Sequence, residues 1–182
     1  MPSPAASNAC LRKTLRRFRR SRRGSAAVEF ALVAPVFFAL LFAIIETAIV
    51  FFAGQVLETV AQNSARSILT GQTQTAGYTT QAQFLTNVVC PQIPALLTCA
   101  NVSLSVQSST AFGNLTLPSL IDANGNCISP TNFDPGGPGD TVVVQLSYQW
   151  PLFVTGLGYN IANCPGSKRL LVATAAFQNE PY

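Results

Sequence analysis

From Ala26 to Ala53 the chain reads AAVEFALVAPVFFALLFAIIETAIVFFA, and its only charges are Glu29 and Glu46. As a helix this run is about 42 Å long, against about 30 Å for the hydrocarbon core of a bilayer. It is long enough to cross a membrane with tilt, or to cross and emerge on the far side. A secretory signal has an apolar stretch of about 7–15 residues followed by a small-x-small cleavage site. Here the run is far longer, and Phe51 occupies the place where a small residue is needed before Ala53. The segment therefore reads as a retained membrane span. Only 10% of the residues are charged, well short of the roughly 25% of soluble proteins, which points the same way.

Charge is distributed unevenly. Of eleven basic residues, eight precede Gly24: Arg12, Lys13, Arg16, Arg17, Arg19, Arg20, Arg22 and Arg23. Beyond Ser25 only Arg66, Lys168 and Arg169 remain, against seven acidic residues. A basic cluster abutting a span is a topology signal, and it holds that end in the cytoplasm. The rival reading of RRFRRSRR as a nucleic-acid contact is set aside for that reason. The chain then divides into a basic cytoplasmic leader (1–24), a helix (25–70) with its span at about 26–53, and a distal domain (71–182).

The helix is expected to run past the membrane. Val56, Leu57, Val60, Ala61, Ala65, Ile68 and Leu69 recur at helical spacing, with Gln55, Glu58, Gln62, Asn63 and Arg66 on the other faces. Gly71 marks a stop. This second half is amphipathic and needs an apolar surface to lie on.

Four of the five cysteines, Cys90, Cys99, Cys127 and Cys164, follow the span, whereas Cys10 precedes it. In an oxidising compartment they read as two disulfides. Three pairings are possible; chain proximity favours Cys90–Cys99, leaving Cys127–Cys164. Without a C-x-x-C or a histidine, zinc is disfavoured, and no metal or cofactor is expected.

Glu29 lies three residues inside the apolar run, where a carboxylate is costly and is by default a functional candidate. A pairing with Arg22 or Arg23 at the interface is the plainer account. Its surroundings are more specific: Arg23-Gly24-Ser25-Ala26-Ala27-Val28-Glu29-Phe30 resembles the type IV prepilin processing motif. That motif has a basic leader, a glycine, four residues, then glutamate and an aromatic. The resemblance implies cleavage after Gly24 by a membrane-embedded prepilin peptidase. Ser25 would become the new amino terminus, with Glu29 fifth and Phe30 sixth in the mature chain. Glu46 lies about 26 Å further along the helix and is read as reaching water at the distal interface. Pro35 reads as a tolerated membrane-helix kink.

The segment Arg22–Arg66 resembles the TadE-like family, pseudopilins and related proteins of the bacterial tight-adherence (Tad, or Flp) pilus machinery. Arg22-Arg23-Gly24, Val28-Glu29-Phe30 and Pro35 carry the likeness. Shorter stretches add to it: Cys90 and Cys99 around PQIPALLT, the loop Asp134–Asp140, YQWP at 148–151, and the ending Phe177–Tyr182. The resemblance implies a structural subunit of the bacterial inner membrane, with its N-terminus cytoplasmic and its distal domain periplasmic. Its partners would be inner-membrane lipid, the prepilin peptidase, and other pilin or pseudopilin subunits with the Tad machinery. The alternative is an uncleaved, single-span periplasmic accessory or binding protein of the same system.

In the distal domain, Gly71–Tyr78 reads as a linker and Gln81–Val89 as a short helix with Phe84, Leu85 and Val88 inward. Val102–Gln107 and Val142–Trp150 alternate as half-buried strands. Leu170–Phe177 is a third strand, and Ala111–Ile121 a candidate fourth. Asp122–Asn126 and Asp134–Asp140 are turns. The expected fold is α+β and pilin-like: a long helix, transmembrane then amphipathic, packed on a small antiparallel sheet. With no histidine, Ser-His-Asp and Cys-His sites are excluded. Glycines 136, 137 and 139 have no following lysine and form no P-loop. Asp122, Asp134 and Asp140 lack EF-hand spacing and read as turn chemistry. The chain is not expected to be an enzyme.

Overall fold

The computed structural model describes residues 24–155 and 159–182. The fold is α+β: helix α1 (Ser25–Leu69), short helical turns α2 (Gln72–Thr75) and α3 (Gln81–Phe84), and strands β1 (Val102–Ser109), β2 (Thr141–Pro151) and β3 (Lys168–Gln178). The strands form one antiparallel sheet in the order β1-β2-β3. The chain divides into a unit ending at Phe42 and a larger one from Ala43 to Tyr182.

In the first unit α1 displays large apolar side chains to the exterior. Val28, Phe30, Leu32, Val33, Val36, Phe37, Phe38, Leu40, Leu41 and Phe42 are all exposed. A helix apolar on every side is suited to lipid or to neighbouring helices. It is the one helix among the described residues long and apolar enough to cross a membrane.

In the second unit the amphipathic part of α1 supplies one side of the core. Val50, Ala53, Leu57, Val60, Ala61, Ala65 and Ile68 are buried with Leu104, Val106, Val142, Val144, Leu146 and Ala173. The register places Leu104, Leu146 and Ala173 in one row and Val106, Val144 and Ala175 in the next. Leu57, Val60 and Ile68 each contribute roughly 1.5–3 kcal/mol by leaving water. Together these outweigh anything the exposed polar positions of the same helix add.

Three elements differ from the sequence pattern. The segment read as a linker contains α2, whose Thr73 is buried and hydrogen-bonded through its hydroxyl to Ser67. The helix at 81–89 opens with a capping box, Thr80 and Gln83 exchanging side-chain and backbone bonds, but widens to a π-helix over Leu85–Val89. That five-residue spacing puts Phe84 and Val89, both fully buried, against the core together. The candidate strand at Ala111–Ile121 does not form: only a 3₁₀ turn at Phe112–Asn114 and an isolated bridge from Ile121 to Cys127 appear there. Pro118 lacks the N–H a ladder requires. The outer edge of β1 is already used, since Val106 bonds the backbone of Asn132 and Asp134.

Helix α1 ends at a tight corner. Gly71 has φ +72°, and an added Cβ would lie 2.4 Å from the Tyr182 ring. Gly71→Ala is expected to cost about 2 kcal/mol, roughly half from the positive φ and half from displacing the ring. In a Tyr182→Ala background only the backbone share should remain. A double-mutant cycle by urea unfolding tests this, and strict additivity would mean that the ring swings aside freely.

Candidate functional site

The segment Gly24–Phe30, expected from the sequence to be a processing motif, falls at the start of α1. Gly24 directly precedes the helix, and Ser25 is its first residue. Among the described residues, nothing lies within 4 Å of where a Gly24 side chain would be. Glu29 is exposed, and its Oε1 accepts a 3.1 Å hydrogen bond from the Ser25 hydroxyl one turn earlier. Phe30 is exposed beside it. The Gly24–Ser25 bond and the Glu29 carboxylate thus occupy one helical turn, with the glutamate already directed at the residue cleavage would make N-terminal. The arginines read as a topology signal, Arg16, Arg17, Arg19, Arg20, Arg22 and Arg23, lie outside the described residues, as does any pairing of Glu29 with the last two.

A second carboxylate departs from its expected setting. Glu46 does not reach water: it is 6% exposed. Oε1 accepts the Phe153 N–H, and both carboxylate oxygens accept the Val154 N–H at 3.1–3.2 Å. The next residue, Thr47, shares a hydrogen bond between its hydroxyl and that of Tyr159. The physical reason is local to β2. The strand ends at Pro151, and the turn after it leaves two N–H groups without ladder partners. A buried backbone donor needs an acceptor, and Glu46 meets both. The only sequence signal was a charge within an apolar run. Nothing in its spacing pointed to residues more than a hundred positions away.

The turn aspartates are occupied by their own loops. Asp122 accepts from the Asn126 amide side chain and backbone and from the Asn124 N–H. These bonds, the Asn126 side chain first, hold its pKa below the ordinary aspartate value. Asp134 takes the Ser108 hydroxyl and the Gly136 N–H, and Asp140 the Gly137 N–H. Among the described residues no group of three or more His, Cys, Asp or Glu converges as a metal site.

Two disulfides stand in the second unit (Ala43–Tyr182), the head of the molecule. Cys90–Cys99, the pair favoured by chain proximity, closes the segment between the π-helix and β1. Cys127–Cys164 ties the long β1–β2 excursion to the residues leading into β3. The Asp134–Asp140 loop is fastened by Asn179, whose side-chain amide donates to the Pro135 and Gly137 carbonyls.

Residues 24–66 match a family model described as TadE-like protein, so the chain carries a TadE-like domain that takes in Gly24, Glu29 and Glu46. Neither the curated proteins nor the solved structures provide a match to the chain.

Proposed function

We propose, with the TadE-like domain at residues 24–66 as the premise, that this chain is a pseudopilin-like structural subunit for Tad/Flp pilus assembly. It is anchored in the bacterial inner membrane with its distal domain in the periplasm, and a prepilin peptidase removes its leader by hydrolysing the Gly24–Ser25 bond. The observation that carries this reading is the first turn of α1. An unobstructed glycine precedes the helix, and an exposed glutamate on that turn faces Ser25.

Each step follows from the chemistry of these residues. Glycine offers a peptidase a bare backbone. Hydrolysis removes eight positive charges that hold the N-terminus in the cytoplasm and creates an ammonium group on Ser25. In lipid, the all-round apolar helix has only dispersion contacts to exchange with neighbouring helices. In a bundle of subunits the Glu29 carboxylate is then available to the Ser25 ammonium of a neighbour. Such a desolvated pair adds little net stability but fixes register. The Ser25 hydroxyl holds the carboxylate near the site of that new amine beforehand.

The mature N-terminus tests this. Mass spectrometry of protein from peptidase-positive membranes should find a chain beginning at Ser25, and from peptidase-negative membranes a chain retaining residues 1–24. Glu29→Ala should leave cleavage intact and abolish incorporation into filaments, while Gly24→Ala should slow cleavage itself. A leader retained in peptidase-positive cells would overturn the pseudopilin reading in favour of an uncleaved, single-span periplasmic accessory protein.

A further inference from the structure

The head grips α1 inside the apolar run. Glu46 and Thr47, which hold the backbone of Phe153 and Val154 and the Tyr159 hydroxyl, lie well before Ala53. Ala26 to Ile45 already amounts to about 30 Å of helix, the full hydrocarbon thickness. Of the apolar residues beyond that point, Ile49, Phe51 and Phe52 are exposed on the helix, whereas Val50 and Ala53 are buried in the core. Phe153, in the turn clamped by Glu46, is 83% exposed. Large aromatic side chains left bare just past a completed span belong to the membrane–water interface.

The charges of the head give an independent indication. Across the β2–β3 register, Pro151 pairs with Lys168 and Trp150 with Arg169. Two of the three basic residues beyond Ser25 therefore sit at the sheet end that carries Phe153. At the opposite end Thr141 pairs with Gln178, next to Asp140 and Glu180. There the Glu180 N–H bonds the Leu69 carbonyl at the end of α1, and Asp134 is held by Ser108. Three charges depart from this: Arg66 lies in the last turn of α1, Glu46 is buried at the cationic end, and Cys127–Cys164 ties the turn of Asp122 toward that end. The Asp122 carboxylate is already engaged by Asn126 and Asn124. The head is thus polarised, basic and aromatic at the Glu46 end of α1 and acidic at the Leu69 end.

The geometry points to a membrane-docking face: the turn at Leu152–Thr155 rests in the lipid interface of the leaflet from which α1 emerges. Phe153 inserts at the headgroup–acyl boundary, while the exposed Lys168 meets anionic headgroups; Arg169 is half-buried and donates one N–H to the Ile161 carbonyl. Cationic side chains beside an inserted aromatic fit an anionic lipid surface. Glu46 pins the Phe153 turn to the helix within the apolar run itself, so lipid, rather than a separate protein ligand, is the occupant. This rests on the reading of α1 as a membrane span and adds a second attachment to it.

The test uses the full chain in vesicles containing phosphatidylglycerol, with tryptophan as a depth probe. In a Trp150→Phe background, Phe153→Trp is expected to lose roughly half or more of its emission to lipids brominated high on the acyl chain. The indole at position 153 should also resist aqueous acrylamide. Lys168→Glu should weaken the lipid quenching. Free access of acrylamide to that indole, with no response to brominated lipid, overturns the proposal. So does protection from acrylamide that ignores brominated lipid and fades as protein is diluted in the bilayer, which would identify a second copy as the cover. Phe37→Trp in the same background separates the two readings. If the indole at position 37 is quenched by brominated lipid and the one at position 153 is not, docking alone fails; if neither is quenched, the membrane-span reading fails with it.

Discussion

Replacing Glu46 by alanine is expected to destabilise the head by about 1–3 kcal/mol, because two partly shielded N–H groups lose their carboxylate acceptor together. Among the described residues, those donors, on Phe153 and Val154, have no other partner. Glu46→Gln keeps one acceptor oxygen but turns an amide N–H toward the donors, so it should recover at most half of the loss. Thr47→Val removes only the hydroxyl contact with Tyr159 and should cost about 1 kcal/mol. Thermal unfolding in detergent, followed by the near-ultraviolet signal of Trp150 at the same strand end, reads all three. A Glu46→Ala loss below about 0.5 kcal/mol would mean that water takes over the two donors at no penalty.

Removing the Cys127–Cys164 disulfide should be the costliest single-bond change in the head. The bridged residues are 37 apart in sequence, against 9 for Cys90–Cys99. Chain entropy alone then assigns about 4 kcal/mol to the longer closure and about 2.5 kcal/mol to the shorter. A domain of this kind has only about 5–15 kcal/mol in total, so the first loss approaches the whole margin. Urea unfolding of the two double-serine variants gives the comparison. The reverse order would mean that the 127–164 segment stays ordered in the denatured chain without its bond.

The elements that the sequence announced are those whose periodicity is set by a single environment. The apolar run and its amphipathic continuation predicted α1 nearly to its last residue, and Gly71 marked its end because the corner needs a positive φ. The alternation in Val102–Gln107 and Val142–Trp150 located β1 and β2. It did not show that β2 is buried on both faces. Val143, Gln145 and Ser147 are buried as well, on the face opposite Val142, Val144 and Leu146, where their neighbours in register are Gln107, Ser105 and Ser103 on β1 and Ala176, Thr174 and Val172 on β3. The apolar residues Phe112, Leu117 and Ile121 suggested a strand yet are exposed; hydrophobicity alone, with the outer edge of β1 taken by Asn132 and Asp134, is not enough to make one.

Within the candidate site, the Gly24–Phe30 pattern is local and open to direct reading, since its parts lie within about two helical turns. The role of Glu46 was not, because its partners are set by how β2 ends. A carboxylate in an apolar run announces that something is needed there. Only the packing of the sheet against α1 shows that the need is for two backbone donors.

The sharing of one core between the second half of α1 and the sheet has a mechanical consequence. Because Val50 to Ile68 are interior residues of the head, this part of the helix is not a tether that can swivel or slip. A force drawing α1 along its axis acts directly on the interlocked side chains, on the Glu46 clamp at one end and on the Glu180–Leu69 bond at the other. Loaded this way, the contacts are sheared side by side instead of being peeled one at a time. The head and this half of the helix must therefore move together under any such load.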